Sequence, residues 1–586
     1  MGFAMRRFFC LLLLGLPSLA CAASAGEALH QLFAEEWERG LREDPLAASY
    51  YGDQRFADRL PDLGAEAIAS SQAADRAALA RLEAIDASAL SDQDRLNHEV
   101  FGWQMRQQIA GQRFRRHLVP INQRGGIQTF VNILEQIPPR SVQDYENWIA
   151  RLSAFDRYAA QTQALMAEGI RQKVTPPRVV MQRVSGQLKA QAVDSVEASA
   201  FWKVFADMPE SISAAEQARL REAGRRAVSE SVLPAYRRLS DFFDEQYLPA
   251  CRDSIAATDL PDGEDYYAWV AQYFTTTALG PEAIHQIGLK EVARIRAEME
   301  QVQREVKFEG DLSAFFTHLR TDPQFYYDSP RALLEGYRAI AKRIDPELVK
   351  VFRRLPRLPY GVRPIPDNIA PDTTTAYYQP GAADGSRAGY YYVNLYKPEV
   401  RPKWEMMALS LHEAVPGHHF QFALGLEMPE QPMFRRTGYV VAYGEGWALY
   451  AERLGYEMGL YDDPYDRMGQ LAYDMWRAVR LVVDTGMHAK GWSRQQAIDY
   501  FLANAPKTQQ DVVNEIDRYI AWPGQALAYK IGQLRISELR ARAEQALGAK
   551  LDLRDFNDAV LATGSVPLAV LERHIQRWIA LQQGGE

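Results

Sequence analysis

Three of the ten histidines fall within eight residues, in the segment His412-Glu413-Ala414-Val415-Pro416-Gly417-His418-His419. Imidazoles packed that densely around a carboxylate point to metal chemistry. In a helical His-Glu-x-x-His motif the two imidazoles stand one turn apart on one face and bind zinc, while the intervening Glu handles a water. This segment starts that motif but carries Pro416 at the fifth position, with the next histidines at +6 and +7. On a straight helix +6 is rotated by about 240° and +7 lies roughly 10 Å away. Neither suits a metal whose bonds to nitrogen are about 2 Å. Pro416 has no N–H to give the His412 carbonyl, and its ring crowds that carbonyl; Gly417 permits backbone that other residues resist. The spacing therefore predicts a bulge that absorbs two residues and returns His418 to the second ligand position, with His419 as the competing candidate.

A catalytic zinc needs a third protein ligand and an open position. Glu445 lies 27 residues after His418, between two glycines at the start of an apolar helix that also carries Trp447, Leu449 and Tyr450. Metal ligation explains an acid there; the plain alternative is a carboxylate satisfying free N–H groups at a helix start. Glu452, seven residues on and on the same face, is the fallback ligand.

These segments carry a resemblance. His412–His419 together with Gly444-Glu445-Gly446-Trp447-Ala448-Leu449-Tyr450-Ala451-Glu452 closely resembles the bacterial domain-of-unknown-function 885 family. Asp384–Tyr390, Asp484–His488 and Arg518–Gly532 match it as well, so the resemblance covers nearly the whole mature chain. It implies a branch of the Glu-ligand, gluzincin-like zinc metallopeptidases, in a mostly helical, cleft-containing fold similar to the oligopeptidase and angiotensin-converting types. Gly444–Ala448 is similar to the Asn-Glu-Gly-Phe-Ala segment that carries the third zinc ligand in many aminopeptidases, which favours Glu445 over Glu452. The Pro-Gly interruption departs from the standard zinc-peptidase pattern and leaves His418 against His419 open.

On this reading His412, His418 and Glu445 hold one Zn²⁺. The metal makes its bound water acidic enough to ionise near neutral pH, and Glu413 is the general base and later proton donor. A donor must face the developing oxyanion; Tyr519 is the first candidate, with His488 and Tyr529 as rivals. Arg480, Asp484 and His488 stand four apart, so they share a helix face and could buttress a zinc ligand or form an ordinary ion pair. Gly389–Leu395 reads as a strand whose edge could pair with an extended peptide; Arg387, Tyr392 and Asn394 are its candidate substrate contacts. Arg518 or Arg387 could hold a C-terminal carboxylate bidentately. His98-Glu99 opens the same zinc motif but has Gly102 where the second histidine belongs. Cys251 reads as a buried bystander, since no histidine neighbours it.

The elements that must position these groups are mostly helical. From Ile284, Val292, Ile295, Met299, Val302 and Val306 step by three and four, the signature of one amphipathic face. Similar periodicity runs through Ala65–Ile85, Val142–Met166, Ala214–Tyr247, Leu333–Ile344 and Ala526–Leu547. Leu355–Pro402 breaks the rule: it is rich in Pro, Gly, Asp and Thr around the aromatic, β-branched run at Gly389–Leu395. The expected fold is mainly α, strictly α+β: a large, two-lobed, helical body with a deep cleft and a small strand-rich insert. Residues 23–270 form the expected N-terminal lobe and 271–586 the catalytic lobe.

Length and charge set the outer bounds. With 586 residues, 47% of them hydrophobic and 24% charged, the chain has an ordinary globular composition and can bury a large core. A net charge of −8 with no long basic run argues against nucleic acid, and no internal apolar run is long enough for a multi-span membrane protein. Arg6 and Arg7, the apolar Phe8–Leu16 and the small residues that follow read as a signal peptide over residues 1–22. Cleavage after Ala22 would give a soluble periplasmic protein; lipidation at Cys21 would give a membrane-anchored lipoprotein. The sequence thus leads to an exported zinc metallopeptidase acting on peptides. The alternatives are a zinc hydrolase of another amide, such as an acyl-amino acid or a peptidoglycan peptide, and a non-catalytic peptide-binding protein with a structural metal.

Overall fold

A computed structural model describes residues 24–367, 370–372, 374–382, 385, 387–428 and 430–584. The signal segment and Cys21 lie outside the described residues, as do Asp384 and Ser386. The body is helical, and the one sheet among the described residues has three strands. No described helix is long and apolar enough to cross a membrane.

Seven helices build the surroundings of the histidine segment. They are α1 (Pro281–Glu305), α2 (Met406–Glu413), α3 (His418–Leu426), α4 (Val441–Met458), α5 (Pro464–Ala489), α6 (Gln509–Ala521) and α7 (Ala528–Leu547). Their starts follow local rules: Asp463 caps α5 ahead of Pro464, and Thr508 caps α6 through the N–H of Asp511. Elsewhere the periodicity is right but the unit differs. The Val142–Met166 stretch is two helices, Val142–Ser153 and Phe155–Arg171, meeting at Ala154. Ala214–Tyr247 runs on as one helical path with two wider, π-helical turns.

The largest core joins both ends of the chain: Leu152, Phe155, Phe201 and Tyr236 pack in the same cluster as Met475, Val482, Phe501 and Tyr519. A second core forms between α4 and α7 and takes in Trp447, Leu454, Ile531, Ile536 and Leu539. Those two helices cross at glycines. A Cβ on Gly446 would lie 2.5 Å from the Gly532 carbonyl carbon, and one on Gly532 would lie 1.9 Å from the Ala442 oxygen. Any side chain at either position would push α4, and with it Glu445, away from α7.

An ionic cluster ties α1, α5 and α7 together inside this body. Lys530, fully buried, donates to Asp474 at 2.6 Å and lies 3.0 Å from Glu291, while Arg294 reaches both acids at 2.9 and 2.8 Å. Buried charges cost several kcal/mol each unless paired this completely, so the cluster specifies how the three helices register.

The strand-rich insert holds β1 (Tyr360–Pro364), β2 (Ala376–Gln379) and β3 (Gly389–Val393) in the order β1-β3-β2. β1 runs parallel to β3, Tyr360 opposite Gly389, and β2 runs antiparallel, Ala376 opposite Val393. The expectation of an available edge at Gly389–Leu395 is corrected here: β3 is the central strand, bonded on both sides, and β2 is an outer strand. A small core of Ala376, Tyr391, Val393, Met406 and Leu409 packs the sheet against α2.

Candidate metal centre

α2 stops at Glu413 because the next turn cannot be completed. Ala414 makes the last regular bond, to Ser410 O at 3.0 Å, and Pro416 has no N–H to offer. The chain turns through Ala414–Gly417, with a cis bond before Pro416, and restarts as α3 at His418. The expected bulge within one helix is thus a full break between two helices. Gly417 lies so close beneath the His412 carbonyl that a Cβ there would sit 1.9 Å from its oxygen. This close return brings the His412 and His418 rings to 4.8 Å between centroids, nearly perpendicular. Trp447 on α4 fixes the turn from outside by donating its indole N–H to Pro416 O at 2.8 Å.

α4 supplies the third group. Glu445 Oε2 lies 3.6 Å from His412 Nε2 and 3.5 Å from His418 Nε2, and the three ligand atoms sit within 4.8 Å of one another. Ligand atoms of a tetrahedral zinc with bonds of 2.0–2.1 Å stand about 3.3–3.4 Å apart. The two nitrogen–oxygen spacings are close to those of a bound zinc, and the imidazole nitrogens, within 4.8 Å of each other, would draw together to hold one. The electrostatics of the set couple the carboxylate to the two imidazoles. Burial opposes ionisation of Glu445, yet the two histidines hold its carboxyl well below the usual range. Burial likewise pulls the His412 imidazole down, and Glu445 and Glu452 outweigh it, leaving the group at about 9.

Glu452, the fallback ligand, stands behind His412 instead. His412 Nδ1–H donates to Glu452 Oε1 at 2.8 Å, which leaves Nε2 facing the centre. Arg477 on α5 approaches the same oxygen at 3.7 Å. A carboxylate on the far nitrogen of a histidine ligand fixes its tautomer and ring orientation. His419 faces the other way. Its Nε2–H donates to Leu358 O at 3.1 Å and its Nδ1 accepts from the Tyr378 hydroxyl at 2.9 Å, tying α3 to the sheet. Burial drops its pKa to about 4. Of the two competing histidines, His418 converges with His412 and Glu445.

These groups line a cavity of about 380 Å³, within the range of small-ligand sites. Glu413 is on its wall, as are Thr374–Tyr378 from β2 and its approach, Phe422, Tyr439, Tyr473, Trp476 and Tyr529. Burial and the nearby Glu445 charge raise the pKa of Tyr439 well above its ordinary value and also raise that of Tyr529, so both hydroxyls keep their protons. The wall also carries Arg124, Arg477, Arg480 and Arg518 with Glu515.

Several expected site residues lie elsewhere. Tyr519 is buried off the cavity, its hydroxyl accepting from Arg480 Nε at 2.8 Å and donating to Glu515 at 2.6 Å. With its proton committed there, it is not a donor toward the histidines. His488 is sealed in the core: its Nδ1 accepts from the Ala257 N–H at 3.1 Å and its Nε2–H donates to Tyr519 O at 3.0 Å. Asp484 accepts from the Tyr267 hydroxyl and the Gly524 N–H, so it buttresses no metal ligand. Arg387 is exposed and bonded to Pro380 O. Tyr392 stacks on Tyr377, and the buried Asn394 donates to Ala370 O and Thr374 O, so both shape the loop that borders the cavity without facing it. Arg518 does line the cavity, bonded to Glu515 and to Gln525 at 2.7 Å. Cys251 is buried and, among the described residues, has no cysteine partner.

Tyr439, Arg477 and Arg124 were not singled out from the sequence. Arg477 carried a readable signal, a second arginine one turn from Arg480 in the otherwise apolar stretch Met475–Val483. Arg124 carried none, being some 350 residues from the groups it joins.

The comparisons agree with this architecture. Residues 45–575 match the family described as "Bacterial protein of unknown function (DUF885)", and the chain belongs to it. A protein of Colwellia psychrerythraea described as a "putative lipoprotein" shares 31% identity and a TM-score of 0.89, over 95% of this chain and 99% of that one. A "putative lipoprotein of unknown function" from Shewanella oneidensis, 18% identical, has a TM-score of 0.74 over 95% of this chain and 100% of that one. At that identity the likeness concerns the fold alone. No curated protein matches the chain.

Proposed function

We propose that this DUF885 protein is a zinc-dependent hydrolase of peptide bonds. The observation that carries the reading is the convergence of His412 Nε2, His418 Nε2 and Glu445 Oε2, with Glu413 next to the first ligand on the wall of the same cavity. Three protein donors suit a catalytic zinc, which keeps one position open; a structural zinc would take four. When bound, zinc supplies a Lewis acid and brings the acidity of a water within reach of a side-chain base.

The remaining steps belong to the protein. Glu413 accepts the proton of the attacking water and later passes it to the departing amine. Glu452 keeps His412 in the tautomer that presents Nε2. The protonated hydroxyl of Tyr529 takes over the role expected of Tyr519, donating toward the oxygen on which charge develops. The outer strand β2, whose Ala376–Tyr378 line the cavity, is one along which an extended peptide can lie.

The Colwellia psychrerythraea relative described as a "putative lipoprotein" favours an exported protein anchored through Cys21 over one cleaved after Ala22. Intact-mass measurement of the membrane-extracted protein would read a diacylglyceryl modification directly.

The test is to purify the protein from residue 23, load it with zinc, and compare wild type with Glu413→Gln on a mixed peptide library. One zinc per chain in both forms is expected, with cleavage lowered roughly 10²–10⁴-fold in the variant. Undiminished cleavage by Glu413→Gln would remove Glu413 from the mechanism. A zinc-loaded wild type that cleaves no peptide would overturn the peptidase reading.

A further inference from the structure

The wall of the cavity gathers four arginines, Arg124, Arg477, Arg480 and Arg518, near the carboxylate of Glu515. Arg477 and Arg480, on one buried face of α5, are each only 5% exposed. Arg480 gives Nε to the Tyr519 hydroxyl at 2.8 Å and Nη2 to Glu515 at 3.0 Å, but its Nη1 has no partner among the described residues. Arg477 donates to Tyr473 O at 3.3 Å and approaches Glu452 at 3.7 Å, and its Nε is likewise without a partner. Arg518 shares Glu515 with Arg480, at 3.0 Å each. Arg124, brought from the N-terminal half, stands at the rim over Trp522 with no carboxylate partner among the described residues.

A buried donor left without an acceptor costs about 1–3 kcal/mol, and more when it is charged. Two such donors, on adjacent turns and on side chains that line one cavity, mark guanidinium groups with bonding capacity left for an anion. The guanidinium planes are also held in place. Arg480 lies 4.3 Å over the Tyr529 ring and 5.2 Å over Trp476, and Arg477 lies 4.6 Å over Tyr473. A fixed fork of parallel N–H groups matches a carboxylate better than a spherical anion.

We infer that Arg477, Arg480 and Arg518, with Arg124 at the rim, receive the free C-terminal carboxylate of a peptide, so that the enzyme acts as a carboxypeptidase. The inference rests on the zinc-peptidase reading for its second half only. The small volume of the cavity fits it, since about 380 Å³ holds only a short end of a chain beyond the metal centre. Neither Arg480 nor Arg477 contacts the proposed ligand atoms directly, so their role is to position the substrate.

Three N-acetylated pentapeptides provide the test: one with a free C-terminus, the same peptide amidated, and an amidated version ending in Glu. Each is titrated calorimetrically into the zinc-loaded Glu413→Gln form, and each is offered to wild type for cleavage. The free acid should bind roughly 10–100-fold more tightly than the amide, the range for charge-assisted hydrogen bonds, and Arg480→Gln should erase that preference while leaving affinity for the amide in place. Should Arg480→Gln fail to fold, Arg124→Gln at the exposed rim should narrow the preference by a smaller factor. Equal binding of acid and amide overturns the inference and leaves the zinc-peptidase reading standing. An amidated Glu peptide that binds as well as the free acid also overturns it, because the arginines would then be reading an acidic side chain. Preferential binding of the acid with no cleavage of any peptide supports the carboxylate site and removes the peptidase reading alone.

Discussion

Two clusters in this protein contain the same kinds of residue and differ in what they leave undone. Around His488, an imidazole and a nearby carboxylate both find hydrogen-bond partners within the core. Ala257 N–H and Tyr519 O take the two ring nitrogens, and Tyr267 and Gly524 serve Asp484. Around His412, a carboxylate oxygen stands 3.5–3.6 Å from two imidazole nitrogens, too far to bond well, with a cavity beside them. Histidines and acids alone do not distinguish the clusters. Unspent bonding capacity at a cavity does, because a buried polar group without a partner is costly unless a ligand supplies one.

The sharpest way to break this contrast is to remove one ligand from the open cluster. Glu445→Ala should take bound zinc from one per chain to near zero, measured by atomic emission, and cleavage should fall to background. His488→Asn should leave zinc at one per chain; its loss there would dissolve the distinction between the clusters. Next comes the support of the open cluster. Glu452→Gln keeps a hydrogen-bond acceptor behind His412 but removes its charge, and zinc affinity read against a chelating dye should weaken about 10–100-fold. An unchanged affinity would show that Glu452 serves packing only.

The sealed cluster should answer in stability. His488 is held neutral by burial, with a pKa of about 4, whereas the unfolded chain takes up that proton near 6.5. Its contribution is therefore complete above pH 6.5 and is lost as pH falls toward 4, at up to about 1.4 kcal/mol per pH unit. Asp484 runs the other way: burial raises it to about 7, so its contribution is complete below the unfolded value near 4 and is lost as pH rises through 7. The two slopes oppose each other in wild type. Urea unfolding at pH 7, 6 and 5 should show wild type ahead of His488→Asn by about 1–3 kcal/mol at pH 7, with the gap narrowing as pH falls. A gap independent of pH would show that His488 is not held neutral. The smallest effect is expected at His419→Asn, which loses the links to Tyr378 and Leu358. Zinc content should stay unchanged and stability should fall by about 1 kcal/mol. A substantial loss of zinc would return His419 to the list of ligands.

Much of the open cluster was legible because its information is local. Pro416 and Gly417 announce an interruption, and the interruption is what allows a histidine six residues on to meet His412. Glu445 was legible as an acid among apolar helical residues. The choice between His418 and His419 was not, since adjacent residues on a helix point about 100° apart and only the neighbours decide which faces inward. Tyr519 misled for a related reason: a tyrosine beside Arg518 invites a catalytic reading, but Arg480 and Glu515 already occupy its hydroxyl. The strand at Gly389 was readable from its aromatic run, whereas its central place depended on β1 and β2 pairing with it from both sides.

What the sequence determined by itself is whatever follows from spacing along the chain: a mainly helical body, a strand-rich insert, a broken histidine motif and an acid placed to complete it. What only the tertiary structure decided is which of these groups meet, and with what left over. Glu452 became a support, the arginines of α5 and α6 became a wall, and Arg124 joined them across about 350 residues. Periodicity and backbone chemistry act within a few residues, but a site is closed by packing between elements whose contacts no local pattern encodes.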